Sequence, residues 1–412
     1  MKTSFYLVLI QLINLVVGLF TVYLVAKNVE PKLYAIVGIN AIICTFISVF
    51  SYFGFEAHVS RKGLAWIDNG QNKKLRFYIS NAIYSRVTIS VIISPLLLLY
   101  SYYLSVEKFS GEFFPYFIIF CISGIFYSFN NGCVLIKKGM NQFISAAVIV
   151  FISSTLGKLL AIWSFFHFGF TTFILMISFT PIIISFYFMF WIRKYFYSSY
   201  IKIEFYKYYK QNRYFTFRGY VSYLKQHADQ LLFSMLLAPA LFATYNLMKR
   251  LEDIIRVVIE NIFDPACQSL ISHRGNSEYI IKRIKSINRI KNLLMVISVI
   301  LSTLTMYNVD SIIMMAGLEK YKHLDLAIFT IIIGQFIYLS SKIKVNILTL
   351  FYPPIEGLKC DSYSAFFSIM ALIFAFMFLN SEAALMSRIV IYSSIFIFCS
   401  VKVNEKNLNS NV

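Results

Sequence analysis

The sequence predicts an all-α integral membrane protein, about twelve transmembrane helices in two six-helix bundles around a central cavity. Three observations predict it. Of 412 residues, 58% are hydrophobic, 18% aromatic and only 14% charged, whereas soluble domains carry about 25% charged residues. Apolar stretches long enough to cross a bilayer recur along the chain, and Lys and Arg collect in alternate connections between them. A mean hydropathy of +0.69 agrees. Length, 42 Phe and 29 Tyr, and only 16 Gly and 8 Pro exclude small secreted scaffolds, disordered chains and collagen-like repeats.

A spanning helix needs about 20 predominantly apolar residues, because each backbone polar group in lipid must be bonded within its own segment. Such runs fall at residues 5–26, 33–55, 77–103, 113–136, 143–167, 170–192, 213–238, 240–264, 292–314, 324–351, 361–380 and 384–401. The first is too long for a cleaved signal peptide, and no small-residue cleavage site follows it. The eighth carries Lys249, Arg250, Glu252, Asp253, Arg256 and Glu260, and sidedness argues for keeping it. With twelve spans and the N-terminus inside, twenty-three Lys and Arg fall on the cytoplasmic side and six, Arg388 among them, on the other. Removing span 8 would move six basic residues between Arg274 and Lys291 to the outer side, against the positive-inside bias. Both termini are therefore expected in the cytoplasm. The net charge of +19 follows from the same bias and calls for no nucleic-acid partner.

An even number of spans divides the chain into an N-terminal bundle, 1–192, a basic cytoplasmic connector, 193–212, and a C-terminal bundle with a short tail, 213–412. A shift of 208 residues sets Leu33-Tyr34-Ala35 on Leu241-Phe242-Ala243 and Phe55-Glu56 on Phe263-Asp264. Parallel repeats of this kind place a substrate site at the interface of the halves, near the bilayer midplane. The outer connections are too short to fold as domains.

Nine basic residues remain inside the spans, where an ionisable side chain costs at least about 2.5 kcal/mol at the bilayer centre and marks a bundle interior or wet cavity. In span 7, Arg218, Lys225 and Asp229 share one stripe. In span 8, Lys249, Asp253, Arg256, Glu260 and Asp264 recur at intervals of three and four. Lys342 repeats the pattern in span 10 with Gln335 and Asn346. Arg86 and Lys158 stand alone, about 13 and 23 Å from the cytoplasmic end of their helices at 1.5 Å per residue. Three placements suit the span 8 stripe: ion pairs within the helix, an interfacial amphipathic helix, or the lining of a hydrated cavity. Arg86 and Lys158 have no acid in their own helices, so they require one from another helix, water or an anionic substrate. The six cysteines and five histidines form no metal-ligand spacing, so no metal or cofactor is expected. Gly124, Gly157 and Gly334 suit close helix packing.

Two stretches resemble a known family. Glu30-Pro31-Lys32-Leu33-Tyr34-Ala35, with Phe53-Gly54-Phe55-Glu56-Ala57 and Arg61, and then Asp229-Gln230-Leu231-Leu232, Phe242-Ala243-Thr244-Tyr245-Asn246-Leu247 and Pro265, resemble the Wzx-type O-antigen flippases of the MOP superfamily. Leu241-Phe242 stands where that family usually has Gly-x-Tyr. The resemblance covers nearly the whole chain and implies a MATE-like, V-shaped fold in the bacterial inner membrane. It implies an undecaprenyl-diphosphate-linked oligosaccharide as substrate, with a polysaccharide polymerase and a chain-length regulator as partners. On that basis Arg86, Lys158, Arg218, Lys225, Lys249, Arg256 and Lys342 form the cationic lining of the cavity. Asp229, Asp253 and Glu260 balance charge or bind a coupling proton or sodium ion. No enzyme activity is expected. An O-antigen polymerase would carry a sizeable outer loop, and a multidrug-extrusion antiporter would favour acids in its cavity.

Overall fold

The structure, a computed structural model, describes residues 2–140, 142–196, 205–268, 277–352, 354–378 and 381–403. The described residues are helical almost throughout. In chain order the helices are α1 (Lys2–Asn28), α2 (Pro31–Phe50), α3 (Phe55–Asp68), α4 (Asn72–Phe109), α5 (Phe114–Gly139), α6 (Phe143–Phe151), α7 (Gly157–Phe168) and α8 (Phe170–Ile192). Then follow α9 (Phe205–Leu236), α10 (Pro239–Gln268), α11 (Ser277–Tyr307), α12 (Val309–Ala316), α13 (Leu324–Phe351), α14 (Pro354–Phe378) and α15 (Ser387–Lys402). Among the described residues, nine helices are long and apolar enough to cross a membrane. α9 and α10 fall outside that set because of their charges, yet each forms a continuous helix over the predicted seventh or eighth span. The protein is thus an all-helical, multi-pass membrane protein.

Several boundaries differ from the expected spans for local reasons. Span 2 is expected to run to residue 55, but α2 ends at Phe50, and Gly54 takes φ +77° before α3 restarts at Phe55. That left-handed conformation suits glycine. The break sets Glu56 in the first turn of α3. Span 5 is one path interrupted by a π-helical turn, Ile152–Leu156, between α6 and α7. Span 9 is α11 followed by the short α12, and span 12 opens with a tight 3₁₀ turn, Ser381–Met386. Pro181 lies inside α8, where its carbonyl accepts hydrogen bonds from Asn130 at 2.7 Å and Ser185 at 2.8 Å. Neighbouring side chains can stabilise a proline-disturbed membrane helix in this way.

The chain forms two compact units: Met1–Val29 with Ile36–Tyr220, and Glu30–Ala35 with Val221–Val412. The first has a core of Phe55, Val59, Tyr78, Ile79, Phe129, Cys133 and Phe188. The second centres on Phe263, Ile287, Leu339, Ile343, Ile391 and Ile395. The outward faces are apolar as well: Leu96, Leu99, Ile183, Phe186 and Phe190 are all exposed. A soluble monomer rarely exposes so much contiguous apolar surface, whereas lipid covers it without penalty. The glycines expected to permit close packing do so, since a Cβ on Gly124 would meet Ile47 at 2.6 Å and one on Gly157 would meet Thr180 at 2.5 Å. Part of the predicted connector 193–212, the end of the predicted tail, and the side chains of Arg61, Asp264 and Pro265 lie outside the described residues.

Candidate functional site: embedded charge in each unit

In the first unit, the break after α2 delivers Glu56 to Arg86 on α4. Both are buried and form an ion pair, and Arg86 also donates to the carbonyls of Ser48 at 3.0 Å and Ser128 at 3.1 Å. Its guanidinium lies 5.6 Å from the ring centre of Tyr52. Arg86, expected from sequence to be a cavity cation, is therefore committed to an acid from another helix. Gly132 makes room for it, because a Cβ there would stand 2.6 Å from Arg86 Cδ and 2.8 Å from Nε. Gly132→Ala is accordingly expected to push the guanidinium off Glu56 and to lower stability by about 1–3 kcal/mol. Thermal unfolding of the detergent-solubilised protein would register the loss.

Lys158 is half-buried on the first turn of α7, just past the π turn. Its ammonium lies 3.4 Å from Asn14 Oδ1 of α1, and Ser154, within the π turn, donates to the same oxygen at 2.8 Å. Gly18 lies one turn further along α1, and a Cβ there would come 3.3 Å from Lys158 Nζ. The wider turn brings a hydroxyl and an ammonium to one point on α1, a local adjustment common at functional sites. Lys137, assigned from sequence to a cytoplasmic connection, falls in the last turn of α5 and is buried, with its ammonium 4.4 Å from the Trp191 ring centre and 3.0 Å from Ser145 Oγ. Arg218 is half-buried on α9. Among the described residues of this unit, Glu56 is the one buried acid, against buried Arg86 and Lys137 and half-buried Lys158.

The central charge network of the second unit is balanced. At its centre Arg388 of α15, 1% exposed, donates to Asp229 of α9 at 2.9 Å and embraces Glu252 of α10 with bonds of 2.7 and 2.6 Å. The Tyr245 hydroxyl donates to Asp229, and that of Tyr392 to Glu252. Such two-pronged guanidinium–carboxylate contacts are among the strongest charge-assisted hydrogen bonds. From there the charges step along α10: Lys249 lies 3.4 Å from both Glu252 and Asp253, Arg256 lies 3.2 Å from Asp253 and 3.8 Å from Glu260, and Lys342 of α13 lies 3.8 Å from Glu260. Exposure rises along the same path, from the fully buried Asp229 to side-chain values of 29% at Asp253 and 36% at Glu260. Lys225 pairs separately with Asp361 of α14.

The structure thus joins Asp229, Lys249, Asp253, Arg256, Glu260 and Lys342 in one chain of charges, but as acids and bases in equal number once Glu252 and Arg388 are included. Lys225, Lys249, Arg256 and Lys342, expected from sequence as cavity cations, each stand within 4 Å of a carboxylate. An interfacial position for α10 does not fit either, because Lys249 and Glu252 are buried inside the unit. Sequence reasoning misses Arg388, Glu252 and Asp361 as site residues; Arg388, counted with the outer side from sequence, lies buried within the unit in the first turn of α15. Among the described residues no group of His, Cys, Asp and Glu is arranged to hold a metal ion.

No protein-family model and no curated protein sequence matches the chain. Solved structures do. One is the lipid II flippase MurJ in an inward closed conformation, with a TM-score of 0.74 at 14% identity, covering 98% of this chain and 89% of that one. A multidrug resistance MATE family transporter of the MOP superfamily, inward-facing, gives 0.69 at 10% identity over 96% of both chains. A point mutant of the Vibrio cholerae MATE transporter VcmN gives 0.63 at 15% identity over 99% of this chain and 98% of that one. The chain has the fold that these proteins share.

Proposed function

We propose that this protein is a flippase for an undecaprenyl-diphosphate-linked oligosaccharide, the repeat unit of a surface polysaccharide, moved from the cytoplasmic to the periplasmic leaflet of a bacterial inner membrane. The observation that carries this is the pair of ammonium groups held in polar settings of the first unit, Lys137 buried against Trp191 and Ser145 and Lys158 half-buried beside Asn14. A diphosphate cannot enter hydrocarbon, and ammonium groups held in a polar setting are what its passage requires. The fold is one that a lipid II flippase also has. A drug-extruding antiporter is disfavoured, since a site for cationic drugs would leave acids in excess, and the second unit has none to spare among its described charges. Coupling to a proton or sodium gradient falls to Asp253 and Glu260, the half-exposed end of the charge chain, because Asp229 is already held by Arg388. The polymerase and chain-length regulator are the partners that would consume the product, and both termini lie in the cytoplasm.

The test is reconstitution in vesicles with a fluorescent polyprenyl-diphosphate oligosaccharide. Label is expected to become accessible to an external quencher faster with protein than without, and faster still under an imposed proton or sodium gradient. In cells, loss of the protein should leave lipid-linked single repeat units on the inner face. Single units on the cell surface would instead indicate a polymerase and defeat the proposal.

A further inference from the structure

α11 stands apart from the rest of the second unit: its apolar stretch has no buried residue, and Leu293, Ile300 and Leu304 are broadly exposed. It packs against α13, and one contact fixes their register, the Ser340 hydroxyl lying 3.8 Å from Met295 Sδ. The two helices are consecutive spans and run antiparallel, so one turn from that contact in one direction sets Lys291 opposite Lys344, and one turn in the other sets Val299 opposite Phe336. Both predicted neighbours are realised. Lys344 is the charged group whose field reaches Lys291, and Val299 and Phe336 line one groove together with Ser302, Thr303, Met306 and Tyr307.

The lysine pair lacks an acid. Lys344 donates to Ser400 Oγ at 2.8 Å and lies 4.9 Å from the Phe396 ring centre, and no carboxylate pairs with either lysine among the described residues. Both are half-buried. Two like charges held facing one another repel, and an anion between them would relieve that cost. About 12 Å further along, at 1.5 Å per residue, begins the groove of about 440 Å³. The groove is shallow and largely open on one side, as suits a chain lying along the helix surface. Its lining is apolar, and the Thr303 hydroxyl is already bonded to the Val299 carbonyl. Exposed Lys282, Arg283, Lys285 and Arg289 occupy the start of α11, the end that the positive-inside bias assigns to the cytoplasm, where anionic lipids concentrate.

We propose that α11 and α13 form a binding site for an anionic phospholipid of the surrounding bilayer, its phosphate on Lys291 and Lys344 and an acyl chain in the groove from Val299 to Tyr307. The inference stands apart from the transport substrate and would hold for any function of the chain.

The probe is phosphatidylglycerol carrying a photoreactive acyl chain, used with the full-length protein in phosphatidylcholine vesicles, with adducts located by mass spectrometry. Adducts are expected on residues 295–307 and beside Phe336, displaced by unlabelled phosphatidylglycerol and not by additional phosphatidylcholine. Lys291→Gln with Lys344→Gln should lower their yield by about tenfold while leaving adducts on exposed α8, around Ile183 and Phe190, unchanged. That second set shows that the variant is inserted and folded. Equal displacement by phosphatidylcholine, or adduct yield that ignores the lysine substitutions, would overturn the proposal. Displacement by undecaprenyl phosphate at lower concentration than phosphatidylglycerol would overturn it too, by giving the site to the polyprenyl carrier.

Discussion

Arg388→Gln is expected to cost the second unit about 3–5 kcal/mol, because it removes the base that two buried carboxylates share and leaves Glu252 to Lys249 at 3.4 Å. Asp229 and Glu252 are almost wholly inaccessible, and Arg388 is the base that bonds both. Membrane proteins, like soluble ones, have small net stability, so a loss of this size should appear as low yield and early aggregation. The measurement is the thermal unfolding midpoint of the detergent-solubilised protein, with the monodisperse fraction on gel filtration. Arg388→Gln combined with Glu252→Gln restores equal numbers of acids and bases in the network, and should recover at least half of the lost midpoint. Lys402→Gln, which breaks the half-buried pair with Glu356 at the end of α15, should leave the midpoint nearly unchanged. If the single Arg388 variant unfolded like the Lys402 variant, the central role given to this ion pair would be wrong.

The parts of this arrangement that could be read in the sequence are those encoded locally. An apolar run of sufficient length forms a helix whatever lies beside it, so every predicted span has a helical counterpart, including α10 with its charges. The intervals of three and four from Lys249 to Glu260 appear as the contacts Lys249–Asp253, Asp253–Arg256 and Arg256–Glu260, because one helix fixes which residues share a face. Contacts between helices depend on relative depth and rotation, which spacing does not encode. Glu56 meets Arg86 only because Gly54 breaks the path after α2, and Asp361 meets Lys225 across two helices 136 residues apart. The partners of Arg388 escape the sequence for the same reason: they come from α10 and α9, 136 and 159 residues away. A hint was present in Ser153-Ser154-Thr155, a hydroxyl-rich run within an otherwise apolar span, which is where the π turn falls.

Lys158→Ala should uncouple transport from folding in the first unit. Unlike Arg388, Lys158 is half-buried at a helix surface, and its neighbours include the neutral Asn14 and the close backbone at Gly18. Removing it strands no buried carboxylate at either of those two, so expression and unfolding midpoint should stay near normal. Transport is another matter. A charge-assisted hydrogen bond to a diphosphate oxygen contributes about 1.5–3 kcal/mol, equivalent to about 10–100-fold in rate or affinity. With Arg218→Ala added, flipping of labelled polyprenyl-diphosphate oligosaccharide in vesicles should fall to background. Lys158→Arg, which keeps the charge, should retain part of it. Ser154→Ala serves as the intermediate case: it removes the π-turn hydroxyl bonded to Asn14 but leaves the ammonium, so a modest drop is expected. The decisive comparison is between rate and charge. If Lys158→Ala with Arg218→Ala transported normally at normal protein level, the positive interior of the first unit would have no part in recognising the substrate, and the flippase assignment would lose the observation that supports it.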